Sequence, residues 1–230
     1  MKVLIIPGHG NGDPGAIGNG YREADLTREM TALIREELSK YCVVDALAAS
    51  ENWYINIIKQ GKYYNFKPYD YVLEVHLNSS EATKEDGITT GTEIFVTREE
   101  KTVTVEEKMV ANIAKLGFKN RGVKRKNFDL INYIKKQGVS SALLEVCFIS
   151  DSDDMKLYSA KKREIAAAVA KGIADGYKLE ANTLEAACKV LSNAGIINSP
   201  DYWAKGAGYS DSNTVLLIKK FADYVKRKEK

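Results

Sequence analysis

Between Lys2 and Tyr177, short apolar runs alternate with longer segments of helical period, and this alternation restricts the fold to a narrow class. KVLII (2–6), VVDALAA (43–49), YDYVLEVHL (69–77), GTEIFVT (91–97), FDLINYI (128–134) and SALLEVCFI (141–149) read as strands. Residues 23–41 place Leu26, Met30, Leu33, Ile34 and Leu38 on one helical face. Residues 52–66 read as more helical than extended, closed by Pro68, and the amphipathic segment 104–118 ends near Gly117. Residues 153–177 read as one long helix, or two joined at a bend. Alternation of this kind predicts an α/β fold, a mostly parallel twisted sheet of about six strands flanked by helices. In such sheets ligands bind beyond the carboxyl ends of the strands.

Residues 178–182 (KLEAN) read as a linker. The expected division is a domain over 1–178 and a small helical module over 183–230, with TLEAACKVLSNAG and SDSNTVLLIKKFADYVKRK as its helices. The formal charge of +3 is too small to call for a nucleic-acid partner, and six Lys/Arg against two Asp/Glu after Val215 gather it in the tail. No apolar run approaches the roughly 20 residues that span a bilayer, so no membrane is expected. Lys2 is followed only by VLII and then a glycine loop, a first core strand rather than a secretion signal, which predicts synthesis in the cytoplasm. Cys42, Cys147 and Cys188 are odd in number and far apart, so reduced and mostly buried thiols are expected.

The chain has only two histidines, and both fall at strand ends. His9 follows the first strand inside GHGNGDPG, and His76 ends YVLEVH. If those strands are parallel members of one sheet, both imidazoles reach the same rim. Glu23 opens the first long helix and returns to that rim. Two imidazoles and a carboxylate form a frequent catalytic zinc set that leaves the fourth position to water. Glu145 lies in the apolar run ALLEVCF, where an unpaired carboxylate is costly unless it has a partner or a task. Each residue also has a plainer reading: a turn histidine, a carboxylate favoured by a helix N-terminus, or a strand residue facing solvent. A phosphate-binding reading of the loop is weak, because it lacks the Lys-Ser/Thr of a P-loop and its glycines at 8, 10, 12 and 15 miss the G-x-G-x-x-G spacing.

The runs PGHGNGDPGAIGNGYREADL, EVHLNSS, GTEIFV and ALLEVCFISDSDDM, in that order, resemble the motifs of zinc-dependent N-acetylmuramoyl-L-alanine amidases of the amidase-3 type. The resemblance covers residues 1 to about 177. It implies that His9, Glu23 and His76 bind zinc and that Glu145 is catalytic. It implies hydrolysis of the amide between N-acetylmuramic acid and L-alanine in peptidoglycan, and use as a phage or prophage endolysin released from the cytoplasm onto the cell wall.

Glu74 departs from the family, whose members commonly carry a small or neutral residue two places before the second histidine. Period-two alternation puts it on the same strand face as His76, either orienting that histidine or solvated. The segment 78–91 is too short for the autoinhibitory helix of division-associated relatives, which implies constitutive activity. GIINSPDYW followed by a leucine-rich helix resembles a module found after the catalytic domains of some lysins. That module would attach to anionic wall polymers through its basic tail, pack on the catalytic domain, or form a homodimer. Two other functions fit the same site: a different zinc hydrolase, peptidase or deacetylase, and a wall-binding protein without activity.

Overall fold

The computed structural model describes residues 1–81, 89–204 and 212–228. It divides into two units, Met1–Lys178 and Leu179–Lys230. The first contains β1 (Lys2–Pro7), a hairpin of β2 (Ile17–Gly18) and β3 (Tyr21–Arg22), α1 (Glu23–Leu38), β4 (Val43–Ala46) and a π-helical turn (Ile55–Lys59). There follow β5 (Tyr71–Asn78), β6 (Thr92–Val96), α2 (Thr104–Ala114), β7 (Asn120–Arg125), α3 (Asp129–Lys136), β8 (Ser140–Phe148) and α4 (Ser152–Gly176).

The six-stranded sheet runs β4-β1-β5-β8-β6-β7. β1 pairs in parallel with β4 and β5, β5 with β8, and β6 with β7; only the β6–β8 pair is antiparallel. The expected fold class is therefore the observed one. β1, β5 and β8 lie side by side and point the same way, so their carboxyl ends share one rim.

The two faces of the sheet are covered unequally, and this makes the site. On one face Val3, Ile5, Leu73, Val75, Leu144 and Val146 are sealed under α1, α2 and α4 by residues such as Met30, Ile34, Met109, Ile165 and Val169. On the other, Leu4, Ile6 and Val72 pack against a smaller cover, Leu130 and Ile134 of α3 together with Ile57 and Phe66. Successive residues of a strand alternate faces, so Val72, Glu74 and His76 share this second face. Its apolar character stops where the cover stops. α4 is one helix with a kink at Lys161 (φ −130°, ψ 22°), the bend read in the sequence.

Three segments differ from the sequence reading. FDLINYI, expected as a strand, is α3: Leu130, Ile131 and Ile134 are its buried positions, a helical spacing, with Asp129 in the first turn and Lys135 and Lys136 in the last. The sixth strand is instead β7, NRGVKR, whose polar composition suits a sheet edge. Within 52–66 only Ile55–Lys59 is helical; Asn52 Oδ1 accepts from Ile55 N at 3.0 Å at its start, and Gly61 at φ +67° turns the chain out of it.

The second unit holds α5 (Leu184–Asn193), α6 (Pro200–Ala204) and α7 (Ser212–Lys228), with a small core of Ala187, Leu191 and Ala222. Cys147 and Cys188 are buried free thiols, and Cys42 is half-buried. Among the described residues no helix is long and apolar enough to cross a membrane. The segment 78–91, read as too short for an autoinhibitory helix, includes residues 82–88, which lie outside the described residues.

Candidate metal centre and catalytic cleft

β1 ends at Pro7 and delivers His9 to the rim in a left-handed conformation (φ +60°). A non-glycine residue there is strained and must be held by its surroundings. Arg28 of α1 supplies much of that hold. Its Nη2 donates to the His9 carbonyl at 2.8 Å and the Glu51 carbonyl at 3.0 Å, and its Nη1 to the Gly8 carbonyl at 2.9 Å. The returning loop then lets Glu23 open α1 beside His9. Gly15 (φ +65°) is needed at that approach, because a Cβ there would lie 2.7 Å from His9 Cδ2 and 2.8 Å from Glu23 Oε2.

Glu23 stands between the two histidines. Its Oε2 lies 3.2 Å from His9 Nε2 and its Oε1 lies 3.0 Å from His76 Nδ1. The imidazoles meet edge to face with centroids 4.9 Å apart. One donor atom from each of the three residues falls within 4.8 Å of the others, a group that could hold a metal ion. Donors each about 2.1 Å from one ion lie within about 4.2 Å of each other, which both Glu23–histidine separations satisfy. Backbone donors fix Glu23 further: Ala16 N donates to Oε2 at 2.9 Å and Leu77 N to Oε1 at 3.0 Å. Burial alone would raise the Glu23 carboxyl, but hydrogen bonds from His76 and His9 outweigh it and hold the group well below the usual carboxylate range.

Each histidine has a second carboxylate on its far nitrogen. His9 Nδ1 lies 2.9 Å from Asp13 Oδ2, and His76 Nε2 lies 3.1 Å from Glu74 Oε1. Were an ion held beside Glu23, these carboxylates would keep protons on the far nitrogens and leave His9 Nε2 and His76 Nδ1 to ligate it; without an ion those two nitrogens carry the hydrogens that Glu23 accepts. Glu74 is only 4% exposed, so it is not a solvated strand residue. Asp13 was not visible as a site residue in the sequence. Its signal was the D-x-G turn, in which Gly15 N donates to Asp13 Oδ1 at 2.9 Å. Asn52 Nδ2 completes Asp13 at 3.1 Å. The partners of Arg28 and Asn52 at the site, the Gly8 and His9 carbonyls and the Asp13 carboxylate, are distant in sequence and leave no local signal of that role.

Glu145 sits on β8 directly opposite His76 in the β5–β8 register. Its Oε2 is buried with no hydrogen-bond partner among the described residues. Burial pushes its carboxyl up to about 7 against the pull of His76, with Glu23, Glu93 and Glu74 adding repulsion. His9, His76, Glu74 and Glu145 line a cleft of about 400 Å³ whose other walls are Asp13, Asn52, Tyr54, Phe128, Asp129, Leu130 and Leu143. All four residues singled out in the sequence therefore come to this one place.

The family model described as N-acetylmuramoyl-L-alanine amidase, Amidase_3, matches residues 3–175. The chain belongs to this amidase family. It is 28% identical over 166 residues to the N-acetylmuramoyl-L-alanine amidase LytC of Bacillus subtilis, covering 72% of this chain and 33% of that protein. A sporulation-specific N-acetylmuramoyl-L-alanine amidase of the same organism is 26% identical over 228 residues, 95% of this chain and 85% of that one. The catalytic domain of the amidase CwlV from Paenibacillus polymyxa shares the fold, with a TM-score of 0.63 at 21% identity over 78% of this chain and 99% of that one. The chain thus spans a third of the length of LytC but most of the sporulation amidase. Residues 3–175 form a domain of the N-acetylmuramoyl-L-alanine amidase family, with a fold shared with the CwlV catalytic domain.

Proposed function

We propose that this chain hydrolyses the amide joining N-acetylmuramic acid to L-alanine, with zinc held by His9, Glu23 and His76 and with Glu145 as the proton carrier. The observation that bears most weight is the pairing of a His-Glu-His donor group with a buried carboxylate whose Oε2 has no partner. A stranded acceptor of that kind is costly in a fold and profitable in a reaction. When bound, zinc supplies Lewis acidity to the scissile carbonyl and to the attacking water.

The chain's own residues do the rest. Glu145 Oε2 takes the proton of the attacking water and returns it to the departing L-alanine amine. Burial raises this carboxyl above an ordinary glutamate's range, which favours its holding that proton until the amine leaves. Asp13 and Glu74 keep the two imidazoles facing Glu23. Tyr54 and Phe128 flank the cleft where the muramyl peptide would lie.

Kinship with an endolysin of Bacillus phage SPP1 supports lytic use against the wall. The test combines metal analysis with product analysis on purified peptidoglycan. Cleavage should release L-alanine amino termini and no new reducing sugars, and a chelator should stop it until zinc is restored. New reducing ends, or amino groups from another residue, would instead mark a glycosidase, deacetylase or peptidase. Unchanged cleavage after complete zinc removal would exclude the metal mechanism.

A further inference from the structure

The segment 51–54 borders two hollows. Asn52 and Tyr54 line the catalytic cleft, whereas Glu51 and Trp53 line a separate pocket of about 350 Å³ with Asn56, Lys62, Tyr63 and Tyr64. That volume is within the usual range for small-ligand pockets, roughly 300–1,000 Å³. The pocket is tied to the metal loop by Arg28, whose Nη2 donates to the carbonyls of both His9 and Glu51, at 2.8 and 3.0 Å.

One side of this pocket is aromatic. Trp53 and Tyr64 meet edge to face with centroids 5.7 Å apart, and Trp53 Nε1 is fixed on the Ala48 carbonyl at 3.0 Å. Tyr63 stands with them at 73% exposure. The other side is a chain of polar groups. Lys62 Nζ donates to Asn56 Oδ1 at 3.1 Å, and Asn56 Nδ2 donates to Glu51 Oε2 at 3.0 Å. Glu51 and Lys62 are the only charged residues in this wall among the described residues, and their charges cancel. Lys59 lies over the Tyr54 ring, 5.3 Å from its centroid, and does not line the pocket.

Aromatic surface beside a charge-neutral set of donors and acceptors suits a sugar. The C–H face of a pyranose packs on the rings, and its hydroxyl and acetamido groups bond to carboxylate, amide and ammonium. An anionic polymer or a charged stem peptide finds no net charge here to attract it. The substrate supplies such sugars, because the amide under attack hangs from a muramic acid within a β-1,4-linked chain of N-acetylated hexosamines.

We propose that the pocket of Trp53, Tyr63 and Tyr64 is a glycan subsite, holding a neutral hexosamine of the strand whose peptide enters the catalytic cleft. This deepens the amidase reading given above and rests on it.

Trp53 and Trp203 are the chain's two tryptophans, so the full-length Trp203→Phe protein makes Trp53 the sole reporter. The probe is chitotetraose, a β-1,4 tetramer of N-acetylglucosamine that carries no peptide. Trp53 emission should change saturably with the sugar. In the same background Tyr63→Ala should weaken the fitted affinity about 2–10-fold, and Tyr63→Phe, which keeps the ring, should restore it. Tyr63 is exposed, so neither change opens a cavity in the fold. No saturable response to the sugar, equal affinity in Tyr63→Ala, or a response to a sugar-free stem peptide instead overturns the glycan subsite. The titration involves no turnover, so failure to cleave peptidoglycan is a separate result that overturns the amidase reading beneath it.

Discussion

His76 and Glu145 face each other across the parallel pair β5–β8, so one proposed zinc ligand and the proposed proton carrier are fixed by the same backbone register. Replacing Glu145 by Gln keeps the shape and removes the proton acceptor. Zinc content should stay at the wild-type level while kcat falls by about 10²–10⁴. Metal analysis beside a turnover assay separates the roles: if zinc is lost together with activity, Glu145 is a ligand instead.

Asp13 touches the centre only through His9. Asp13→Ala should weaken zinc binding by about 10–100-fold, the usual cost of losing a carboxylate behind a metal-bound histidine. Competition against a chromophoric chelator measures this without any substrate. Unfolding midpoints of the metal-free proteins should fall somewhat as well, because Asp13 also accepts from Gly15 N and from the Nδ2 of Asn52, a side chain only 2% exposed, so the zinc affinity is read on the folded proteins.

A pH dependence follows from the burial of Glu145. Its carboxyl titrates near 7 in the folded protein against 4.5 for an ordinary glutamate, so between those values the folded state binds more protons than the unfolded one. Stability of the zinc-free protein therefore falls as pH rises through this window, by on the order of 2–3 kcal/mol from this residue. Denaturant unfolding at pH 5 and pH 8 in chelator should show the loss in wild type and a smaller one in Glu145→Gln. Equal losses in the two proteins would mean that this carboxylate is not the buried, unpaired group described.

Among the described residues, both of the sheet's hydrophobic cores are built from residues 3–177. Deleting 179–230 should leave a folded protein with cooperative unfolding and unchanged turnover of soluble muropeptide. Sedimentation with intact walls then tests the helical unit separately. A bound fraction equal to that of the full chain would dismiss wall attachment as its role.

β5 and β8 were legible because each is a dense apolar run interrupted by charged or imidazole residues, Glu74 and His76 in the first and Glu145 in the second. His76 after YVLEV and Glu145 within ALLEVCF are such interruptions. β7 was hidden for the opposite reason: an edge strand needs no apolar run, and NRGVKR has none. FDLINYI misled because seven residues are too few to separate a strand from a short helix by apolar content, and only the 130, 131, 134 spacing decides it. Asp13, Arg28 and Asn52 act on the site through contacts closed by the tertiary fold. Composition shows a polar residue in a loop but not the carbonyl or imidazole it will meet.

The strand order has one more consequence. β8 is the last strand in the sequence, yet it lies between β5 and β6 and is the sole link between the β4-β1-β5 and β6-β7 portions of the sheet. During synthesis, every earlier strand exists before the piece that joins them. A chain that stops before Ser140 has neither the strand that joins the two portions nor Glu145. The same nine residues thus join the sheet and carry the proposed proton carrier, so a fragment ending before them would lack both.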